Sequence, residues 1–332
     1  MTVLEVEHLT KEFPIRSGLL QRETGKVRAV QDVSFSIGRG ETLALVGESG
    51  CGKTTVSRCI LRALPPTSGA IRFSPEPGVS VDMAPLTRKA LRPLRRHIQM
   101  IFQDPYASLN PRMMVGDIIA EPLYVNGMPP AERRERVRKL LDLVGLPAAA
   151  RTRFPHAFSG GQRQRIGIAR ALALEPSLVV ADEPVSALDV SVQAQIINLL
   201  LELQDKLHLS MLFVAHDLGV VRHVSDRVAV MYVGRLVEVA PTTMLYARPR
   251  HPYTAALLAA VPKPDPALRD AVTAPRGEIA DPANPPSGCA FHPRCPHAVD
   301  RCRAELPPLR EVAPKQFTAC HRADELTLAG AA

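Results

Sequence analysis

The sequence has no tryptophan, and only nine phenylalanines and five tyrosines in 332 residues. A platform that stacks exposed bases needs several aromatic rings, so nucleic acid is not expected among its partners. No apolar run reaches the roughly 18 residues that would carry a helix across a bilayer. The first residues, Met1-Thr2-Val3-Leu4-Glu5-Val6-Glu7, lack a basic start and an apolar stretch. That argues against a secretory signal and for the cytosol. No internal repeat is visible.

What is present has the balance of a globular protein, with 46% hydrophobic and 22% charged residues. Such a chain buries a core and is not disordered. At about 150 residues per domain, the length predicts about two structural units. Lysine and arginine number 41 against 33 acidic residues, a net charge of +8. Much of the excess is arginine, clustered at 92–96 and 133–138. In the second cluster Val137, Leu140, Leu141 and Val144 recur at i, i+3, i+4 and i+7, after Pro129-Pro130 and before Gly145. This pattern predicts an amphipathic helix with a charged outer face. The charges are read as a solvated face, with weak attraction to anionic lipid or nucleotide as the alternative.

Residues 3–8 and 28–37 read as β-rich. The apolar runs at 42–46, 97–102, 177–181 and 210–215 read as buried parallel strands, and 227–239 as a hairpin turning at Gly234. Helices are expected from Lys53 to about Leu64, through most of 112–174, and near 190–207. Strands alternating with helices predict an α/β fold with a parallel sheet. After Pro262 proline becomes frequent, and four of the six cysteines fall between 289 and 320. A domain boundary is therefore expected near 262, giving units of 1–262 and 263–332.

Gly47-Glu48-Ser49-Gly50-Cys51-Gly52-Lys53-Thr54, followed by Thr55, matches G-x-x-x-x-G-K-[ST] between a predicted strand and a predicted helix. In that context glycines let backbone N–H groups face an anion, and the helix adds its positive end. Lys53 would reach the β- and γ-phosphates and the Thr54 hydroxyl would bind Mg²⁺. Cys51, at a helix N-terminus, is expected to have a lowered thiol pKa. Leu178-Val179-Val180-Ala181-Asp182-Glu183 places two acids at the end of a buried strand, where α/β sheets bind ligands. Asp182 would hold Mg²⁺, and Glu183 would orient or deprotonate the attacking water. Phe158-Ser159-Gly160-Gly161-Gln162 opens a helix with Ser159 as N-cap. Ile166, Ala169, Leu172 and Ala173 form its buried side. Its start is either a simple cap or a second phosphate-binding helix end.

In these residues the chain resembles the ATP-binding subunit of an ABC transporter. Phe158 to Gln162 is similar to the family signature, with Phe where Leu is more usual. Ser186-Ala187-Leu188-Asp189 resembles the D-loop, His216 the switch histidine, and Gln103 the Q-loop glutamine that also approaches Mg²⁺. Phe13 is the candidate for stacking on adenine. The motifs span about residues 3–240. The resemblance implies an ABC ATPase with a parallel-sheet core, an antiparallel β-rich part and a helical subdomain at about 104–160. It further implies a head-to-tail dimer with a second, related but non-identical ATPase, in which the Ser159 helix end of one subunit completes the site of the other.

The nearer resemblance is to importers of the dipeptide/oligopeptide family. It rests on the segment 99–112, Arg250-His251-Pro252-Tyr253-Thr254, Asn284-Pro285-Pro286-Ser287-Gly288-Cys289 and Phe291-His292-Pro293-Arg294-Cys295-Pro296. It implies two membrane-spanning permease subunits, a substrate-binding protein, and residence at the cytoplasmic face of the cell membrane. The family also includes nickel and glutathione importers. Cys289, Cys295, Cys302 and Cys320 contain no C-x₂-C pair, so a zinc ribbon is a poor match. Similar tails imply a [4Fe–4S] cluster on these four thiolates. Zinc and an unmetallated tail are the alternatives, with His292, His297 and His321 as bystanders or alternative ligands. The proline-rich tail is expected to have little core of its own. A non-transport ABC ATPase and an exporter ATPase are the remaining alternatives; the former lacks here the coiled coil or second ATPase unit it would need.

Overall fold

The apolar run at 42–46 forms the strand Thr42–Val46, buried at every position, in a computed structural model that describes residues 1–18, 22–261, 277–278 and 280–331. Two compact units divide the chain. One comprises Met1–Leu4, Ile37–Glu41 and Phe73–Val214, and the other Glu5–Ser36, Thr42–Arg72 and Ala215–Ala332.

In the first unit the strands Ile98–Ile101, Leu178–Asp182 and Ser210–Ala215 are parallel neighbours, with Ile98 opposite Leu178 and Leu178 opposite Ser210. Helices cover parallel strands on both faces, which is why these run as unbroken apolar stretches. The helix Val190–Leu207 buries Ile196, Leu199, Leu200 and Leu203. The helices Val115–Val125, Pro130–Leu143 and Gly160–Ala171 pack on one another. Val137, Leu140, Leu141 and Val144 are all buried, as their spacing predicts. The arginine-rich side faces water, where Arg138 pairs with Glu135 at 2.7 Å.

In the second unit Thr42–Val46 lies parallel to Arg227–Tyr232, which turns back antiparallel as Arg235–Pro241. Gly234 makes that turn at a φ of 80°, a conformation that suits glycine because it has no Cβ. The parts of the strands Arg22–Gly38, Thr2–Ser17 and Ser68–Phe73 that belong to this unit adjoin in that order. The helix begun at Lys53 stops at Ile60, short of the expected 64. Arg62 is left-handed there, at φ 53°, which ends the helical hydrogen-bond ladder before Pro65-Pro66.

The tail adds two short strands and an aromatic contact to its unit. Gln316–Thr318 pairs antiparallel with Arg235–Pro241, and Arg310–Ala313 pairs with Gln316–Thr318. Phe291 is buried against Tyr253, at 5.3 Å between ring centroids, and edge-on to Tyr232 at 5.4 Å. The tail thus has little core of its own and packs into the core of its unit. Short strands lend their backbone groups to a free sheet edge, and this requires no long apolar run. The boundary expected near Pro262 lies outside the described residues.

Candidate functional site

The glycine-rich loop occupies the turn from Thr42–Val46 into the helix Lys53–Ile60. Gly47, Gly50 and Gly52 have φ values of 153°, 80° and 107°. A Cβ on Gly47 would stand 2.2 Å from the Met231 carbonyl oxygen, and one on Gly52 2.2 Å from that of Ala29. Both neighbours are backbone, so these two glycines are required sterically as well as conformationally. Lys53 is 4% exposed, and its ammonium donates to the carbonyls of Gly47 at 2.7 Å and Glu48 at 3.1 Å. Ser49 and Gly50 form the exposed crown, while Thr54 and Thr55 are half-buried on the first helical turn.

Cys51 corrects one expectation. It is buried, and burial raises its thiol pKa in spite of Lys53. Desolvation of the thiolate outweighs the helix end and the ammonium. Glu48 carries an arrangement the sequence did not reveal. Its N–H donates to the Tyr253 hydroxyl at 2.8 Å, and its carboxylate is held by Arg294. The His251-Pro252-Tyr253 motif therefore has a physical task, which is to brace the glycine-rich loop. His251 caps the helix Pro252–Ala259, its Nδ1 accepting from the Tyr253 N–H at 3.1 Å. The buried Glu238 carboxylate accepts from the N–H groups of Arg250 and His251 and from Gln316 Nε2. Burial raises its pKa. Phe13 lies half-buried on Thr2–Ser17, with the Lys11 ammonium 5.0 Å from its ring centroid. His216 directly follows Ser210–Ala215 and is exposed.

In the other unit Asp182 ends the strand Leu178–Asp182 and is 4% exposed. Glu183 follows in the left-handed region, at φ 47°. Its N–H donates to the Val214 carbonyl at 2.9 Å. Strain of this kind is found where a side chain must be aimed. Gln103 Nε2 donates to Glu183 Oε2 at 3.0 Å. Ser159 and Gln162 close a reciprocal capping box on the helix Gly160–Ala171. A Cβ on Gly161 would meet Val192 Cγ1 at 2.4 Å. Asp189 caps Val190–Leu207, and a hydrogen bond from Ser191 helps lower its carboxyl pKa. Sequence reasoning missed Gln164. It is buried, and its amide donates to the carbonyls of Phe102 at 3.2 Å and Pro184 at 2.7 Å. It thereby ties the helix Gly160–Ala171 to the segments that carry Gln103 and Glu183. A polar side chain one turn inside that helix was the available signal.

Cys289, Cys295, Cys302 and Cys320 line one cavity, together with His251, Phe291 and Arg322. Burial raises the thiol pKa of Cys289 and Cys320 to about 11, and raises that of Cys295. His292 Nδ1 contacts the Cys289 carbonyl, and His321 Nε2 the Glu305 carbonyl, both at 2.9 Å. Among the described residues, no three His, Cys, Asp or Glu side chains are grouped so as to hold a metal ion.

A nucleotide loop on a strand-to-helix turn, an acid pair at a parallel strand end and a capped glycine helix together define an ABC-type ATPase. Comparison agrees. Residues 30–186 match the ABC transporter family, and 237–302 match the C-terminal region of oligopeptide/dipeptide transporters. The chain is 53% identical over 320 residues to the probable peptide ABC transporter ATP-binding protein y4tS of Sinorhizobium fredii, covering 96% of this chain and 89% of that protein. It is 53% identical over 325 residues to the oligopeptide transport ATP-binding protein AppF of Bacillus subtilis, covering 96% and 97%. A dimeric post-hydrolysis state of the ATP-binding cassette MJ0796, bound to ADP and Pi, matches with a TM-score of 0.62 at 28% identity, covering 72% of this chain and 98% of that one. The chain belongs to the ATP-binding proteins of ABC transporters of the oligopeptide/dipeptide type. No helix among the described residues is long and apolar enough to cross a membrane.

Proposed function

We propose that this chain hydrolyses ATP to power peptide import through an ABC transporter. The observation that carries the reading is the buried Lys53 ammonium, seated among the carbonyls of a glycine loop whose shape excludes any Cβ at Gly47 and Gly52. The loop amides, Lys53 and the Thr54 hydroxyl neutralise the triphosphate. Mg²⁺, when bound, supplies further positive charge, with Thr54, Asp182 and Gln103 as its ligands or outer partners. Glu183 accepts or directs the proton of the attacking water, and His216 attends the γ-phosphate. Phe13 takes the adenine. Ser159, Gly160, Gly161, Gln162 and Asp189 serve the site of a second, related ATPase in a head-to-tail dimer. ATP favours the closed pair because both halves contact it, and hydrolysis removes that preference.

Two permease subunits are the proposed membrane partners, and they hold the chain at the cytoplasmic face. Exposed Phe102, Tyr106, Met114, Tyr124 and Val125 support this, since large apolar side chains left in water within 102–125 suit a partner surface. The names of the relatives support peptide cargo over nickel, glutathione or export. The test is the assembled complex in vesicles with its substrate-binding protein. ATP hydrolysis and uptake should both rise with di- or oligopeptide. Stimulation by nickel or glutathione alone overturns peptide as the cargo.

The finer reading of the tail is a [4Fe–4S] cluster on Cys289, Cys295, Cys302 and Cys320. A single zinc ion draws four thiolates to about 2.3 Å from one point. A cubane lets each thiolate bind its own iron. Four thiols lining one cavity, with Arg322 to offset their charge, support a metal centre there, and the resemblance of the tail favours the cluster over zinc. Anaerobic metal analysis should give about four irons per chain. One zinc without iron replaces the cluster with a zinc site, and the absence of metal removes it.

A further inference from the structure

Glu48 is held through each of its polar groups. Its N–H goes to the Tyr253 hydroxyl at 2.8 Å, and its carbonyl accepts from Lys53 at 3.1 Å. Its carboxylate takes a two-pronged pair from Arg294, Nη1 to Oε2 at 2.7 Å and Nη2 to Oε1 at 3.0 Å. The side chains are 6% and 23% exposed for Arg294 and Glu48, so water screens the pair little. Arg294 comes from the tail, at the end of the short 3-10 turn His292–Arg294, directly before Cys295. Its guanidinium lies 5.8 Å from the Phe291 ring centroid and 5.9 Å from that of Tyr232, and Nη1 also reaches the Tyr232 hydroxyl at 3.4 Å. A guanidinium that lies near two aromatic rings is attracted to them and is oriented before it meets a carboxylate.

A carboxylate in the second position of a loop that must attract a triphosphate is a liability. Left unpaired, it repels the anion the loop binds. It also leaves the loop to be ordered when nucleotide arrives, which lowers affinity. We propose that Arg294 is a positioning residue for ATP binding: it neutralises Glu48 and fixes the loop, so the cysteine-bearing tail sets the affinity for the triphosphate. This rests on the assignment of Gly47–Thr54 as the triphosphate loop. A neutral partner at 294 would brace the loop without removing the charge, and a mobile lysine would remove the charge without the two-pronged geometry.

The test uses the full-length protein, with ATP binding measured by displacement of a fluorescent ATP analogue at low and high salt. Thermal melts establish that each variant is folded. Arg294→Ala should weaken ATP binding about tenfold, or 1.4 kcal/mol, and the loss should shrink at high salt. Adding Glu48→Gln to Arg294→Ala should recover most of the affinity, because the unpaired charge is gone. Arg294→Lys should fall between, and it serves as the test if Arg294→Ala does not fold. In the assembled complex KM for ATP should rise more than kcat falls. A merely structural brace predicts a lower melting temperature without salt dependence and without rescue by Glu48→Gln, and that result overturns the inference. Unchanged ATP affinity in folded Arg294→Ala also overturns it. Failure of the unaltered protein to bind ATP removes the loop assignment itself.

Discussion

Gln103 donates a 3.0 Å hydrogen bond to the Glu183 carboxylate, joining residues eighty positions apart. The glutamate is aimed by a left-handed backbone, and Gln103 holds the end of its side chain. Glu183→Gln keeps the shape and accepts the same bond, but it cannot take a proton. ATP binding should persist while turnover falls by about a hundredfold or more. Hydrolysis rate and bound nucleotide, measured together on the assembled complex, check this. Turnover at the unaltered rate contradicts the role given to Glu183.

Lys53→Ala should lower ATP affinity by at least about tenfold, because it deletes a charged donor meant for phosphate. The structure adds a second effect. The Gly47 and Glu48 carbonyls lose their ammonium, so stability should drop by about 1–3 kcal/mol while the chain stays folded. Melting curves and an ATP titration separate the two effects. Native hydrolysis by the variant complex would falsify the loop assignment.

Two glycines of one loop should respond differently. Gly52→Ala drives a Cβ into the Ala29 carbonyl, whereas a Cβ on Gly50 meets nothing within 4 Å. Gly50→Ala carries only the left-handed penalty, about 1–2 kcal/mol. Gly52→Ala should cost distinctly more, and nucleotide binding should go with it. Equal losses in denaturant titrations would mean that the loop does not lie against residue 29.

Burial holds His251 neutral in the fold, with its pKa down to about 3 from the usual 6.5. The unfolded chain binds a proton below about pH 6.5, so this stability is full above that pH. It is lost as pH falls toward 3, at about 1.4 kcal/mol per pH unit. His251→Asn retains an acceptor for the Tyr253 N–H and removes the titration. Between pH 7 and 5 its stability should fall by roughly 2 kcal/mol less than that of the unaltered chain. Parallel stability–pH curves would show that the histidine is not buried neutral.

The loop, the acid pair and the signature helix were legible in the sequence because their physics is local. Apolar runs ending in glycine make strands that turn into helices, and Ser159 with Gln162 caps a helix three residues away. The amphipathic spacing of Val137, Leu140, Leu141 and Val144 likewise reports which side is buried. Resemblance marked His251-Pro252-Tyr253 as a motif without giving its task. That task became visible only when Tyr253 was found against the Glu48 N–H. The Arg294–Glu48 pair spans 246 positions, and no spacing rule reaches so far. The three-residue strand Gln316–Thr318 exists because Arg235–Pro241 offers it an edge. The thiol of Cys51 is raised because surrounding side chains exclude water. Local order follows from neighbouring residues along the chain. Burial, charge pairing and edge pairing depend on segments that meet only after folding, and there the tertiary structure decides.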